Sequence, residues 1–321
     1  MATKLIERIE RAAGIPGLVE VLADRLSPTD LSSLLLEVHR RRVERIAPAK
    51  VLGQYETNRF VRPTGIDPAA LADFDRLAFE SLRSAGYEAI ELSPVSPLGT
   101  VAALATVDQN NVLTTSRTTE VVADATNSLA LECALRRRAL LRSSPRDISR
   151  VRLCASHRLV RGQLFDGPAM WPHFRLLALT TAGRDEGSFR FETTSLRDEL
   201  GALLCLLARA QDAGPALSDV RLTITELADG LRKPVLQEQV LRPLAERFPD
   251  VAVAFDDERE GGRGYYTGAC FHLHGTLPDG QRLQLGDGGF TSWTAQLLGN
   301  AKERLLIASL GIERLCAQPG T

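Results

Sequence analysis

The sequence predicts an α+β fold, an antiparallel sheet flanked by helices, behind a helical extension over residues 1–58. Three observations carry this reading. Strand-like runs at 151–163, 173–181, 264–274, 281–286 and 304–310 outnumber any βαβ alternation. Helical periodicity is confined to a few stretches after residue 58, near 195–210 and 235–246 among them, whereas residues 1–50 read as helices. No internal repeat or low-complexity linker divides residues 59–321, which therefore form one domain.

In chain order, Leu18, Val19, Val21 and Leu22 mark one helical stretch, and Ser27-Pro28 caps another that carries Leu31, Leu34, Leu35, Leu36 and Val38. Its cationic tail, His39-Arg40-Arg41-Arg42, either complements the helix dipole or meets a partner such as RNA, and the dipole is favoured. Asp67 and Pro68 open a helix to Ala85, with Leu71, Phe74, Leu77, Ala78 and Leu82 at helical spacing and Gly86 as its stop. A strand over 87–92 follows. Apolar runs at 101–107 and 112–116 around Asp108-Gln109-Asn110-Asn111 predict a hairpin, and a helix follows Thr126 through Leu129, Ala130, Cys133 and Ala134.

The 321 residues, 44% hydrophobic and 25% charged, have the makeup of an ordinary globular protein with one large core or two modest ones. A net charge of −1 gives no global attraction to nucleic acid or to an anionic membrane. The five cysteines are scattered and form no CxxC pair, which fits reduced thiols in a cytoplasmic protein. Charges alternate with aliphatics over the first sixteen residues, so neither a signal peptide nor a membrane span is expected there.

Six segments carry chemistry. The helix at 68–85 runs into Gly86-Tyr87-Glu88-Ala89-Ile90-Glu91-Leu92-Ser93-Pro94. Val121-Val122-Ala123-Asp124-Ala125-Thr126 places a carboxylate at a helix start, where it serves as a cap or as a receptor for an ammonium group. Arg158-Leu159-Val160-Arg161-Gly162-Gln163 and 173–179, joined by a loop, offer a guanidinium able to grip phosphate bidentately. His173 sits beside the turn, where it either meets a ligand or packs on its own hairpin; Trp171 is read as packing. Gly261-Gly262-Arg263-Gly264-Tyr265-Tyr266-Thr267-Gly268, then Gly286-Asp287-Gly288-Gly289-Phe290, combine glycines with aromatics. Last comes Ser309-Leu310-Gly311-Ile312-Glu313-Arg314-Leu315.

In this order, over roughly residues 60–318, the segments resemble the catalytic core of class II aminoacyl-tRNA synthetases, and of the histidyl type in particular. The resemblance implies that the first segment, with Pro94 at its end, forms a dimer interface. It implies that Asp124 receives the substrate ammonium, that Arg161 holds the α-phosphate of ATP with Gln163 and His173 nearby, and that Arg314 lies against adenine and γ-phosphate. Arg263 would stabilise charge as the carboxylate attacks, Tyr265 and Tyr266 would line the amino-acid pocket, and Gly288 and Gly289 would let a ligand approach. Glu192 is the expected side chain for a magnesium ion that accompanies ATP.

The chain departs from the pattern in several places. Gln163 replaces a glutamate, Phe290 an arginine, one residue is missing before Tyr265-Tyr266, and Leu179 and Gly183 stand where histidyl enzymes carry a glutamine and a glutamate. Such enzymes also continue into an anticodon-binding domain, whereas this sequence stops six residues after Leu315, so anticodon reading is not expected. The expected function is ATP-dependent activation of an amino acid or related small acid, with transfer to a carrier protein, small molecule or peptide. The alternative is a non-catalytic amino-acid sensor resembling the regulatory subunit of ATP phosphoribosyltransferase, partnered with a metabolic enzyme. A nucleic-acid-binding module ranks third, disfavoured by the near-zero net charge.

Overall fold

The computed structural model describes residues 2–163, 172–211, 217–277 and 280–316. The N-terminal region is helical: α1 (Ala2–Ala13), α2 (Leu18–Glu20) running into a π-turn at Val21–Arg25, α3 (Pro28–Val43) and α4 (Pro48–Thr57). Ser27 caps α3, its hydroxyl accepting from the Asp30 amide at 3.1 Å. No residue of α2, α3 or α4 is buried. The cationic tail of α3 is answered on its own helix, since Arg40 and Arg41 pair with Glu37 and Arg40 also with Glu44.

Helix α5 (Pro68–Ser84) begins at Asp67, whose carboxylate accepts from the Ala69 amide at 2.9 Å, and buries Leu71, Phe74, Ala78 and Leu82. Gly86, at φ +84°, takes the left-handed position that ends it, and the Tyr87 amide returns to the Leu82 carbonyl at 2.9 Å. The strand expected at 87–92 shrinks to β1 (Glu88–Ala89), because only these two residues pair, in parallel, with Leu153 and Cys154.

The expected hairpin around 108–111 is not formed. After β2 (Val95–Pro97) the chain turns at Gly99 into helix α6 (Thr100–Ala105), which buries Val101, Leu104 and Ala105 on one side. Glu120 decides this locally: its carboxylate accepts from the amides of Gly99 at 2.8 Å and Val101 at 3.0 Å, donors that a helix start leaves unpaired. The polar residues form a single 3-10 turn, Gln109–Asn111, and β2 pairs instead with β3 (Thr119–Val121).

The remaining elements are α7 (Ala125–Ser143), β4 (Val151–Val160), β5 (His173–Arg184), α8 (Arg190–Gln211), β6 (Ser218–Glu226), α9 (Lys233–Leu236), α10 (Arg242–Arg247), β7 (Ala252–Phe255), β8 (Ala269–Thr276), β9 (Arg282–Thr291), α11 (Trp293–Leu298), β10 (Glu303–Gly311) and α12 (Ile312–Cys316). Eight strands form one sheet in the order β1-β4-β5-β10-β9-β8-β6-β7, antiparallel except for the β1–β4 and β6–β7 pairs at its edges. β6 and β7 are strands that the sequence reading did not contain. The strand expected at 264–274 starts only at Ala269, because Gly264 and Gly268 adopt φ values of +86° and +76°.

Both faces of the sheet are covered. On one, α5, α8 and α10 bury Leu177, Leu179, Leu222, Phe271, Leu306 and Leu310; on the other, α6, α7 and α11 bury Leu153, Ala178, Cys270, Leu305 and Ile307. Along β5 the residues from Leu176 to Gly183 are all buried, as a central strand covered on both sides requires. Helix α7 is tied to β10 by an enclosed ion pair, Arg137 Nε to Glu303 Oε2 at 2.7 Å, with both side chains 0% exposed.

Candidate active site

A cavity of about 500 Å³ opens on the α7 face of the sheet, in the size range of small-molecule sites. Its first wall is the start of α7. Asp124, in extended conformation, caps the helix: Oδ1 accepts from the Thr126 amide at 2.9 Å and from the Thr126 hydroxyl at 2.7 Å. Its Oδ2 lies 3.8 Å from Nη2 of Arg161. The two readings of Asp124 are thus compatible, because one oxygen caps while the other faces the cavity wall occupied by Arg161.

Arg161 follows the last residue of β4. Its Nε donates to the Ala123 carbonyl at 2.9 Å, and its guanidinium lies 5.1 Å from the Phe174 ring. The turn that carries it requires glycine next: a Cβ on Gly162 would stand 2.9 Å from the backbone carbon of Asn111, whose oxygen accepts the Gly162 amide at 2.7 Å. Gln163 also lines the cavity, and Arg59 donates to the carbonyls of Gly162 and Gln163, pinning the mouth.

Opposite stand Tyr265 and Tyr266, edge to face with centroids 4.8 Å apart, Tyr265 resting in turn on Trp293. The Tyr266 hydroxyl donates to Asp287 Oδ2 at 3.0 Å, and the Ser309 hydroxyl donates to Asp287 Oδ1 at 3.0 Å. β9 places Asp287 directly between His272 on β8 and Ser309 on β10. Burial pushes both phenols well above the usual tyrosine range, and nearby carboxylates push further, so they act as neutral donors. Burial, with Arg259 next, lowers the His272 pKa and favours its neutral form.

Two lining residues hold unused polar atoms. Asn127, in the first turn of α7, is 0% exposed, and neither its amide nitrogen nor its oxygen has a partner. Arg259 is 9% exposed; Nε donates to the Gly261 carbonyl at 2.8 Å while Nη1 is buried without a partner. Unpaired buried polar groups are costly unless a water or ligand meets them.

Of the residues expected from sequence, the structure brings Asp124, Arg161, Gln163, Tyr265 and Tyr266 together on one cavity. Arg263 is exposed and does not line it; Arg259 lines the cavity instead, its backbone amide donating to Asp256 Oδ1 at 3.1 Å. His173 is likewise outside, its ring held between Arg158 Nη1 at 3.0 Å and the Arg62 carbonyl at 2.6 Å.

Gly288 and Gly289 make room for protein rather than ligand: a Cβ on Gly288 would sit 2.3 Å from the Ile307 carbonyl oxygen, and one on Gly289 2.7 Å from the Tyr266 ring. Glu192 lies in a separate cavity, where Arg304 Nε donates to its Oε1 at 3.0 Å. Arg314 is the third residue of α12; its side chain, and the loop that contains Trp171, lie outside the described residues. Arg259, Asn127, His272, Asp287 and Ser309 were not singled out from sequence.

No protein-family model matches the sequence, and no curated protein matches it. Solved structures do. An apo histidyl-tRNA synthetase from S. aureus is 16% identical over 78% of this chain and 67% of that one, with a TM-score of 0.57. An ATP phosphoribosyltransferase regulatory subunit/histidyl-tRNA synthetase from Bacillus halodurans C is 13% identical over 79% and 82%, TM-score 0.56. A histidine–tRNA ligase subunit from Alicyclobacillus acidocaldarius is 15% identical over 80% and 96%, TM-score 0.54. The eight-stranded sheet, its flanking helices and these likenesses give the chain the class II aminoacyl-tRNA synthetase-like fold.

Proposed function

We propose that the chain activates a small amino-acid-like acid with ATP, forming an acyl-adenylate. One observation carries the proposal: the Asp124 carboxylate and the Arg161 guanidinium share one wall of a cavity that Arg259 also lines, with one guanidinium nitrogen enclosed and unpartnered. A carboxylate suits an ammonium group, and two guanidinium groups suit a carboxylate and a phosphate. In the proposed reaction a carboxylate oxygen of the acid bonds to the α-phosphorus and pyrophosphate leaves. Asp124 orients the amine, and Arg161, with Arg314 at the start of α12, clamps the nucleotide. Arg259 takes the charge-stabilising role expected of Arg263.

Magnesium enters with the nucleotide's phosphates in this proposal. Glu192 does not fit as its ligand, because it lines another cavity that shares no residue with the first. Among the described residues no group of three or more His, Cys, Asp or Glu is placed to hold a metal, and no metal ligand is assigned to the chain.

The proposal extends to an acceptor other than an anticodon-read tRNA, such as a carrier protein or peptide, supported by a net charge of −1 and by the pairing of Arg40 and Arg41 with Glu37 and Glu44 in the tail of α3. It includes a symmetric dimer formed through the segment ending at Pro94, a division between residues 58 and 59, and a cytoplasmic setting in keeping with five free cysteines. No helix of the described residues is long and apolar enough to cross a membrane.

A second reading, an amino-acid-binding regulatory paralogue, is favoured by Phe290: the position expected to carry an arginine is instead buried at 5% exposure, edge on to Phe191, and so offers no charge to a nucleotide. The test is amino-acid-dependent ATP–pyrophosphate exchange. Exchange with one acid, lost in Arg161→Ala with the fold intact, supports adenylation. Near-normal exchange in that variant removes Arg161 from the mechanism, and amino-acid binding without ATP binding favours the regulatory reading.

A further inference from the structure

A second cavity of about 410 Å³ shares no lining residue with the first and adjoins the α8 side of the sheet. Its floor is apolar, formed by Leu236, Ala269 and Phe290. Three of its lining residues carry polar groups without partners. The Arg232 guanidinium lies 3.8 Å from the centroid of the Phe189 ring and makes no hydrogen bond among the described residues. Glu192 gives Oε1 to Arg304, but its Oε2 is buried and unpaired. Thr291 is 3% exposed, and its hydroxyl has no partner.

The segment that holds Phe189 is strained. Ser188 and Phe189 adopt φ values of +50° and +62°, a region that costs such residues roughly 1 kcal/mol or more, and Asp229 takes +54°, which aspartate tolerates. A guanidinium stacked on an aromatic ring and, on two further lining residues, an enclosed unpaired carboxylate oxygen and hydroxyl form a complementary set beside an apolar floor. The first suits a carboxylate, the second an ammonium group, the third either, and the floor an aliphatic or aromatic body.

We propose that this cavity is a second binding site, for an α-amino acid with an apolar side chain. Its carboxylate lies on Arg232, its ammonium on Glu192 Oε2 and its side chain on Phe290 and Leu236. The site goes beyond the adenylation proposal and stands without it. A covalent route joins the two cavities, because Thr267, Gly268 and Ala269 of the second follow directly on Tyr265 and Tyr266 of the first, and the Thr267 amide donates to the Phe290 carbonyl at 2.7 Å.

Titration calorimetry on the full chain with L-leucine and L-phenylalanine tests the proposal, with N-acetyl-L-leucine lacking the ammonium and L-leucinamide lacking the carboxylate. At least one amino acid should bind, and each derivative should bind about tenfold more weakly or worse. Arg232→Ala should weaken binding by about tenfold or more, and the near-isosteric Thr291→Val by a few-fold, while Asp124→Asn in the first cavity leaves it unchanged. The proposal is overturned if neither amino acid binds up to about 10 mM. It is equally overturned if folded Arg232→Ala and Thr291→Val both bind normally, or if Asp124→Asn, which keeps the helix cap, abolishes binding and so places the ligand in the first cavity. Failure of ATP–pyrophosphate exchange leaves the calorimetry untouched, so the two proposals fail separately.

Discussion

Replacing Glu303 by alanine should be among the most destabilising single changes in this chain. Arg137, fully enclosed, gives Nε and Nη2 to the two oxygens of Glu303 at 2.7 and 3.1 Å. Its other bonds run to Asp147 Oδ1 at 3.2 Å and to the carbonyls of Ser149 and Asp147 at 2.6 and 2.9 Å. Burial alone opposes its charge, yet Glu303, then Asp147, outweigh burial and raise its pKa above the ordinary value. Glu303→Ala removes the enclosed partner and leaves the buried guanidinium to Asp147 and two carbonyls, at a cost of about 3 kcal/mol, the low end for a broken buried pair. Out of a total stability of about 5–15 kcal/mol, that lowers the melting midpoint of a 321-residue chain by about 4–5 °C. Urea unfolding of Glu303→Ala, Arg137→Met and the double variant Arg137→Met/Glu303→Leu is the assay. The double variant should recover most of the loss, because an apolar pair of similar volume has no charge to desolvate. A loss below about 1 kcal/mol in Glu303→Ala, or a double variant no better than the singles, would refute the reasoning.

Burial raises Glu199 to about 7, against the hydroxyls of Thr181 and Tyr87 that favour its carboxylate. Since this lies above the ordinary 4.5, the folded state keeps a proton that the unfolded chain releases, and stability falls as pH rises from about 4.5 to about 7. The fall attributable to Glu199 is about 3 kcal/mol, and Glu199→Gln should flatten it in denaturant titrations between those limits; an unchanged slope would contradict the assignment. Gly288→Ala should cost roughly 1–3 kcal/mol, whereas Gly53→Ala, in α4 with nothing within 4 Å, should gain about 0.5–1 kcal/mol; equal thermal midpoints for the two would exclude the packing account. Asp124→Asn should keep the helix cap, shifting stability by less than about 0.5 kcal/mol, yet weaken substrate binding in exchange assays; Asp124→Ala should lose both.

Local chemistry made some elements readable from sequence and concealed others. Helices α3 and α5 carry their caps and prolines in plain view, and both begin where Ser27 and Asp67 place them. The segment at 101–107 is apolar and β-branched enough to read as a strand; what makes it helical is Glu120, a residue beyond the segment itself. β6 was legible, since Val220, Leu222 and Ile224 alternate with Arg221 and Thr223 at the period of a strand, and it was missed. In the site, Arg161 and Asp124 stand in segments whose order is informative. Arg259 sits in an acidic run, Asp256 to Glu260, where nothing local marks it as inward facing. Asp287 is flanked by glycines that read as a turn, although β9 passes straight through them because neighbouring side chains and carbonyls occupy the space of their missing Cβ atoms. Glu192 has a carboxylate's chemistry, but its neighbour Arg304 is 112 residues away in the chain.

The position of β10 in the sheet has a consequence for biosynthesis. It is the last strand in chain order, yet it joins β1-β4-β5 to β9-β8-β6-β7, which do not otherwise pair. Until it is made, β5 has an unpaired edge along a segment that ends up wholly buried. The roughly 120 residues from Arg184 to its partner Glu303 take on the order of ten seconds to translate. During that interval the nascent chain presents an apolar strand edge of the kind that invites intermolecular pairing. Pulse-labelled chains truncated before residue 303 should therefore co-sediment with one another or with holding chaperones, and chains extended through residue 311 should not. The strand that completes the sheet thus also sets the moment at which the growing chain ceases to be sticky.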